Sequence, residues 1–293
     1  MLINGNDLLA VANENSFAVP AFNISDWAMM RGIIEISEEL DSPLIVAIHP
    51  DELGHVGEDF MPSVVQASRK ASVPVAIHFD HGTTYEQMLL AVRTGFTSVM
   101  LDGSMHEYEK NVALTQQAVA VAHPLGLSVE AELGTIGKTD DQAEAGTEDI
   151  IYTDPEAAKD FVEKTEVDSL AVAIGTRHGI YPSHLKPELK LDLLKELKSA
   201  VPLPLVLHGG SNNPDAEIAA AVELGVNKIN ISSDIKVAYH QKMREVLQDG
   251  SVREPNVIQP ACIDAMKETA AHKIRLFDAA GKAALYPRLT DLR

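Results

Sequence analysis

The chain has 293 residues, with 24 Lys and Arg against 43 Asp and Glu, a formal charge of −19 at pH 7. That balance argues against nucleic acid and anionic membranes as partners, since both need a basic face. No apolar run reaches the length of a membrane span, no secretory signal is expected from the first twenty residues, and the single cysteine, Cys262, leaves no internal disulfide framework and suits a cytoplasmic location.

Along the chain, short apolar stretches alternate with amphipathic ones. FAVPAF (17–22) precedes the helical pattern AMMRGIIEISEEL, and PLIVAI (43–48) follows it. PVAIHF (74–79) leads into TYEQMLLAVRTG, and SVMLD (98–102) into NVALTQQAVAVA. SVEAEL (128–133) is followed by a long polar segment and then PEAAKDFVEKT, before SLAVAI (169–174). PLVLHG (204–209) is separated by AEIAAAVELG from KINI (228–231). The stretches are rich in Val, Ile and Leu without strict alternation, as parallel strands buried on both faces require. Eight such strand–helix units predict an α/β fold, a (β/α)8 barrel. A doubly wound sheet would carry a glycine-rich first turn, and NISDWAMM has none. With no linker or low-complexity tract, residues 1–293 read as a single domain. QPACIDAMKETAAHKIRLF predicts extra C-terminal helices, with Cys262 packed on one of them.

The ends of these strands carry polar groups. They bear, in turn, Asn23, His49, Asp80 with His81, Asp102, Glu132, His178 just beyond the sixth strand, His208 and Asn230. One polar strand end is ordinary turn chemistry. Eight on the edge where barrel enzymes keep their sites point to a site.

His81, His178 and His208 come from strands three, six and seven, and three imidazoles with an open position describe a catalytic zinc site. Nitrogen donors favour Zn, Co or Fe(II) over Mg or Ca. Asp80, next to His81 in sequence, is placed to accept and return a proton beside the metal, or else to support a histidine. Asp102 and Glu132 are candidates for holding a histidine or for a second metal position. His78 reads as orienting its neighbours. His49, His55, His106, His123, His184, His240 and His272 read as surface or packing residues. HGGSNN (208–213) and NISSDI (230–235) resemble the phosphate cradle that barrels build after strands seven and eight, with N–H groups from Gly209, Gly210 and Ser211 and the hydroxyls of Ser232 and Ser233. GTIGKTDDQAEAGTEDI (134–150) reads as a mobile lid carrying Asp140, Asp141 and Glu144.

The segments VPAFN, HFDHG, VMLDGS, VEAELGTIG, DSLAVAIGTRHG, PLVLHGGS and KINIS, in this order from Val19 to Ser233, resemble the class II, zinc-dependent ketose-bisphosphate aldolases of the fructose and tagatose type. The resemblance implies a lyase that reversibly cleaves a ketose 1-phosphate or 1,6-bisphosphate to dihydroxyacetone phosphate and an aldehyde. It implies Asp80 as proton carrier and one catalytic Zn2+ on His81, His178 and His208, which stabilises the enediolate, and is compatible with an additional monovalent cation. It places the substrate on Asn23, Gly179, Gly209, Gly210, Ser211, Asn230, Ile231, Ser232 and Ser233, and implies a homodimer or homotetramer. Three departures stand out. His49 and Pro50 occupy a place where relatives usually have a small hydroxyl residue or glycine. AAHK (270–273) lacks an arginine used on the distal phosphate, for which Lys273 and Arg275 are the nearest substitutes. The lid lacks paired glutamates. A sugar-phosphate isomerase or epimerase, and a catalytically silent sugar-phosphate sensor, are the alternative functions.

Overall fold

The computed structural model describes residues 1–139, 149–181 and 187–287. Eight parallel strands close into a barrel. They are β1 (Val19–Asn23), β2 (Leu44–Ile48), β3 (Val75–Gly82), β4 (Ser98–Leu101), β5 (Ser128–Leu133), β6 (Ser169–Val172), β7 (Leu205–Leu207) and β8 (Val226–Ile231). Each pairs with its successor, and β8 returns to β1 with Val19 opposite Lys228 and Phe22 opposite Ile231. This is the expected (β/α)8 barrel.

The helices are α1 (Gly5–Glu14), α2 (Trp27–Glu39), α3 (Pro50–Val56), α4 (Met61–Lys70), α5 (Tyr85–Thr94) and α6 (Tyr108–Ala122). Then follow α7 (Pro155–Thr165), α8 (Leu191–Ala200), α9 (Asp215–Glu223), α10 (Ser233–Val246) and α11 (Pro255–Leu276). The sequence reading did not single out α1, which closes the N-terminal end of the barrel: Gly5 N–H donates to Ser128 Oγ at 2.9 Å, a contact too close for a side chain on residue 5. The expected C-terminal helix is α11, with Cys262 buried on it. It packs on α2, where a Cβ on Gly32 would lie 2.4 Å from Met266 Cε.

Strand periodicity divides the barrel into two chemistries. Ile45, Ala76, His78, Ser98, Ser128, Glu130, Ser169 and Lys228 line the interior. The alternate residues Val46, Ile77, Val99, Val129, Leu170 and Ile229 are buried in the apolar core between strands and helices. Burial of each such side chain stabilises the fold by about 1.5–3 kcal/mol. The apolar shell thus carries the stability, and the polar interior leads upward to the C-terminal mouth.

Candidate active site

Consecutive strand residues point to opposite faces, so Asp80 and His81 cannot both reach the mouth from a regular strand. At this point β3 is irregular. Its pairing with β4 passes from Phe79 opposite Val99 to Gly82 opposite Leu101, so three steps on β3 match two on β4. His81 takes φ of 53°, a left-handed conformation that costs a non-glycine residue on the order of 1–3 kcal/mol. The bulge re-aims the imidazole, and β3 runs three residues beyond the expected stretch because of it.

His81, His178 and His208 are brought together and buried. Ring centroids lie 4.5 Å apart for His81 and His208, 5.2 Å for His81 and His178, and 6.2 Å for His178 and His208. Each offers a nitrogen within 4.8 Å of the others. His81 Nδ1 meets Asp102 Oδ2 at 2.9 Å, while its Nε2 is buried with no hydrogen-bond partner among the described residues. A buried, unsatisfied ring nitrogen is costly in an apolar protein interior, and a divalent metal satisfies it. The residues therefore fit a metal ion. His208 Nδ1 meets Glu132 Oε2 at 3.0 Å, and Nε2 meets Glu130 Oε1 at 2.8 Å. Asp102 and Glu132 thus each hold a histidine, and together with His81 they form a second group of donors within 4.8 Å. Burial works against charge on His81, but the carboxylates of Asp80 and Asp102 outweigh it and push the imidazole up to about 10.

Asp80 is fully buried and held from two sides. Asn23 Nδ2 donates to Oδ2 at 2.9 Å, and Asn230 Nδ2 donates to Oδ1 at 3.0 Å. The two asparagines, expected on the substrate, face this carboxylate, and Asn230 also lines the adjoining cavity. Hydrogen bonds to a charged group contribute roughly 1.5–3 kcal/mol each, so the clamp fixes both the direction and the ionised state of Asp80. Burial opposes the carboxylate form, but His81 and Lys228, with His78 behind them, hold the group well below the usual carboxylate range.

Beside the imidazoles opens a cavity of about 370 Å³ lined by His178, Gly179, Gly209, Ser211, Asn230, Ser232 and Ser233. The helix α10 begins at Ser233, so its N-terminus faces this cavity, a place that favours an anion. Gly209 adopts φ of +62°, and a Cβ there would lie 2.6 Å from Arg177 O, so only glycine lets the chain turn under the cavity. Two expected cradle residues stand behind it. Gly210 donates its N–H to Asn230 O at 3.1 Å and has none to offer a ligand. Ile231 is buried in the apolar core. Lys236, His240 and Arg244 continue the cavity wall at four-residue steps along α10, with His240 on the surface as expected.

The other expectations divide. His49, read as surface or packing, is buried at the mouth with its ring 6.3 Å from His81, and it caps α3 by accepting from Asp51 N–H. Lys273 is committed to Asp234 at 2.7 Å, and Arg275 lies in an outer cleft with Glu39, Asp264 and Lys267, away from the mouth. Asp140, Asp141, Glu144 and His184 lie outside the described residues. The stem of the segment that carries those acids is in place, since Thr135 bridges Ile151 and Gly137–Lys138 pairs with Arg177–His178.

The sequence reading passed over one layer. Glu130 and Lys228 lie with His78 one strand repeat below the mouth, and Lys228 Nζ meets both Glu130 oxygens, at 2.8 and 2.7 Å. The visible signal was ionisable residues two positions before Glu132 and Asn230, inside otherwise apolar strands.

Comparison with known proteins places this geometry. A sequence profile described as "Fructose-bisphosphate aldolase class-II" matches residues 3–282. The fructose-bisphosphate aldolase of Thermus caldophilus is 35% identical, the match covering 97% of this chain and all of that protein. The uncharacterized protein YdjI of Escherichia coli K12 is 40% identical over 93% of this chain and 96% of its own. The crystal structure of the YdjI aldolase superposes with a TM-score of 0.84 at 37% identity, covering 97% of this chain and 100% of that one. A putative fructose-1,6-bisphosphate aldolase from Coccidioides immitis gives 0.88 at 28% identity, over 97% and 99%. The chain belongs to the class-II fructose-bisphosphate aldolase family, and aldol cleavage and condensation is the activity that membership supports.

Proposed function

We propose that the protein is a zinc-dependent aldolase that cleaves a ketose 1-phosphate to dihydroxyacetone phosphate and an aldehyde, and joins them in reverse. The observation that carries this reading is the Asp80 carboxylate, clamped by Asn23 and Asn230 beside three convergent imidazoles and an anion-favouring cavity. His81, His178 and His208 would hold the metal, with Asp102 and Glu132 as a second position. When bound, it supplies positive charge for the oxygens of the carbanion that aldol cleavage leaves.

The chain's own residues do the rest. Asp80 accepts the proton of the C4 hydroxyl as the C3–C4 bond breaks; the C4–O bond becomes the aldehyde carbonyl, and the bonding pair stays on C3, conjugated with the C2 carbonyl. C3 then takes a proton from an acid of the 134–150 segment to complete dihydroxyacetone phosphate. In condensation Asp80 returns that proton to the aldehyde oxygen. Ser211, Ser232 and Ser233, with the N-terminus of α10, receive the phosphate, while Gly179 and Gly209 keep side chains out of its way. The distal end of the substrate need not be phosphorylated, because Lys273 is bound to Asp234 and Arg275 lies outside the mouth.

The test is a panel of ketose 1-phosphates and 1,6-bisphosphates, with release of dihydroxyacetone phosphate as readout, before chelation, after chelation and after reloading with zinc or cobalt. Activity lost on chelation and restored by either metal is the expected result. Full turnover by protein shown by elemental analysis to hold no metal would reject the metal-dependent mechanism. A preference for bisphosphates would reject the reading of the distal end. Interconversion of ketose phosphates without cleavage would move the protein to the isomerases.

A further inference from the structure

We propose that the buried pair Glu130–Lys228 is a positioning device for His208, fixing its Nε2–H on Glu130 so that Nδ1 is the nitrogen presented to the metal. The inference rests on the metal reading above but concerns residues that lie outside the proposed ligand set.

A histidine nitrogen that ligates a metal carries no hydrogen, so the other nitrogen must hold the proton and find an acceptor. His208 has a carboxylate at each nitrogen. Glu132, at Nδ1, shares a donor group with His81 and Asp102, so that side of the ring faces the centre of the cluster. Glu130 lies two residues earlier on the same face of β5, one layer deeper, and meets Nε2 at 2.8 Å. The deeper contact is the one left to the proton when Nδ1 is used by a metal.

Glu130 can fill that role only as a carboxylate, and it is 2% exposed. A buried carboxylate keeps a single direction toward its donor only when its oxygens are held by further partners. Lys228, 1% exposed and reaching from β8 across the barrel to both Glu130 oxygens, supplies the opposite charge. Purely structural packing is served as well or better by apolar residues, since a buried ion pair seldom stabilises a fold relative to a hydrophobic replacement. The contact of this pair with a ring in the cluster gives it a purpose that packing does not.

The direct experiment uses zinc-loaded protein labelled with ¹⁵N-histidine, and long-range nitrogen–proton correlation to read the tautomer of each ring. His208 is expected with its proton on Nε2. A proton on Nδ1 overturns the proposal, and histidine signals that do not respond to zinc overturn the metal reading itself, which separates the two failures. Alongside it, zinc affinity is measured by competition with a chromophoric chelator for Glu130→Gln, Lys228→Met and the double variant, and the melting temperature is taken on the metal-free proteins. Affinity is expected to fall about 10- to 100-fold in each. The double variant, which removes both charges together, should keep the metal-free melting temperature of the parent. Unchanged zinc affinity in all three variants, with affinity lost in His208→Ala, would show the pair to be structural only.

Discussion

The two ends of the barrel treat buried charge in opposite ways. At the mouth and just beneath it, each buried ionic group is answered: Asp102 by His81, Glu130 by Lys228, and Asp80 by two amides as well as its cationic neighbours. At the N-terminal rim, Lys198 of α8 lies partly buried with only neutral acceptors among the described residues, its Nζ 2.6 Å from Asn13 Oδ1, 3.1 Å from Leu203 O and 3.3 Å from Asn227 Oδ1. Burial alone pushes its ammonium down to about 8. The rim accommodates a charge with no opposite partner among the described residues by surrounding it with three neutral acceptors. The mouth answers its charges because the chemistry proposed for it needs each group ionised at neutral pH.

The comparison breaks most severely at Asp80. Asp80→Ala is expected to keep the fold and the metal while kcat falls about 10²–10⁴-fold, the usual contribution of a general acid–base group. Metal content and single-turnover rate, measured on the same sample, check this; turnover per bound metal equal to the parent's would remove Asp80 from the chemistry. A smaller loss is expected for Asp102→Asn, which weakens the acceptor at His81 Nδ1 but keeps its shape. Zinc affinity should drop about 10- to 100-fold by chelator competition, and parental affinity would mean that Asp102 does not orient the ring.

The smallest effect lies at the rim and concerns pH. With a folded value of about 8 against 10.5 for the free side chain, Lys198 binds fewer protons in the native state between those limits. Stability contributed by this group therefore rises with pH across that window, and the penalty is complete below it. The midpoint of urea unfolding, taken relative to Lys198→Met, should rise between pH 8 and 10. A difference that stays flat would show that Asn13, Leu203 and Asn227 already offset the burial of the ammonium.

Much of this was legible in the residues. Apolar stretches at regular spacing gave the barrel, and the strand ends gave the histidine cluster, because both follow from periodicity and from where parallel strands converge. What escaped depends on distances across the barrel. The facing of Asn23 and Asn230 on Asp80 joins β1, β3 and β8, and no local pattern reports it. Gly210 looked like a phosphate donor from HGGS, yet its N–H is taken by Asn230 O on the neighbouring strand. Lys228 within KINI was readable only as a polar interruption, since its partner is on β5, almost a hundred residues earlier.

The seam between β1 and β8 has a consequence for how the protein comes into being. Val19 is paired with Lys228, and Ala18 N–H with Phe277 O, so the first strand completes its neighbours only when nearly the whole polypeptide has been made. At a synthesis rate of about 5–20 residues per second, the roughly 200 residues between the two seam strands take on the order of 10–40 s to emerge. Throughout that interval one edge of VPAFN, all of it buried in the finished barrel, stands open to any other extended chain. A closed barrel has no edge, but every nascent copy has one until β8 has been made.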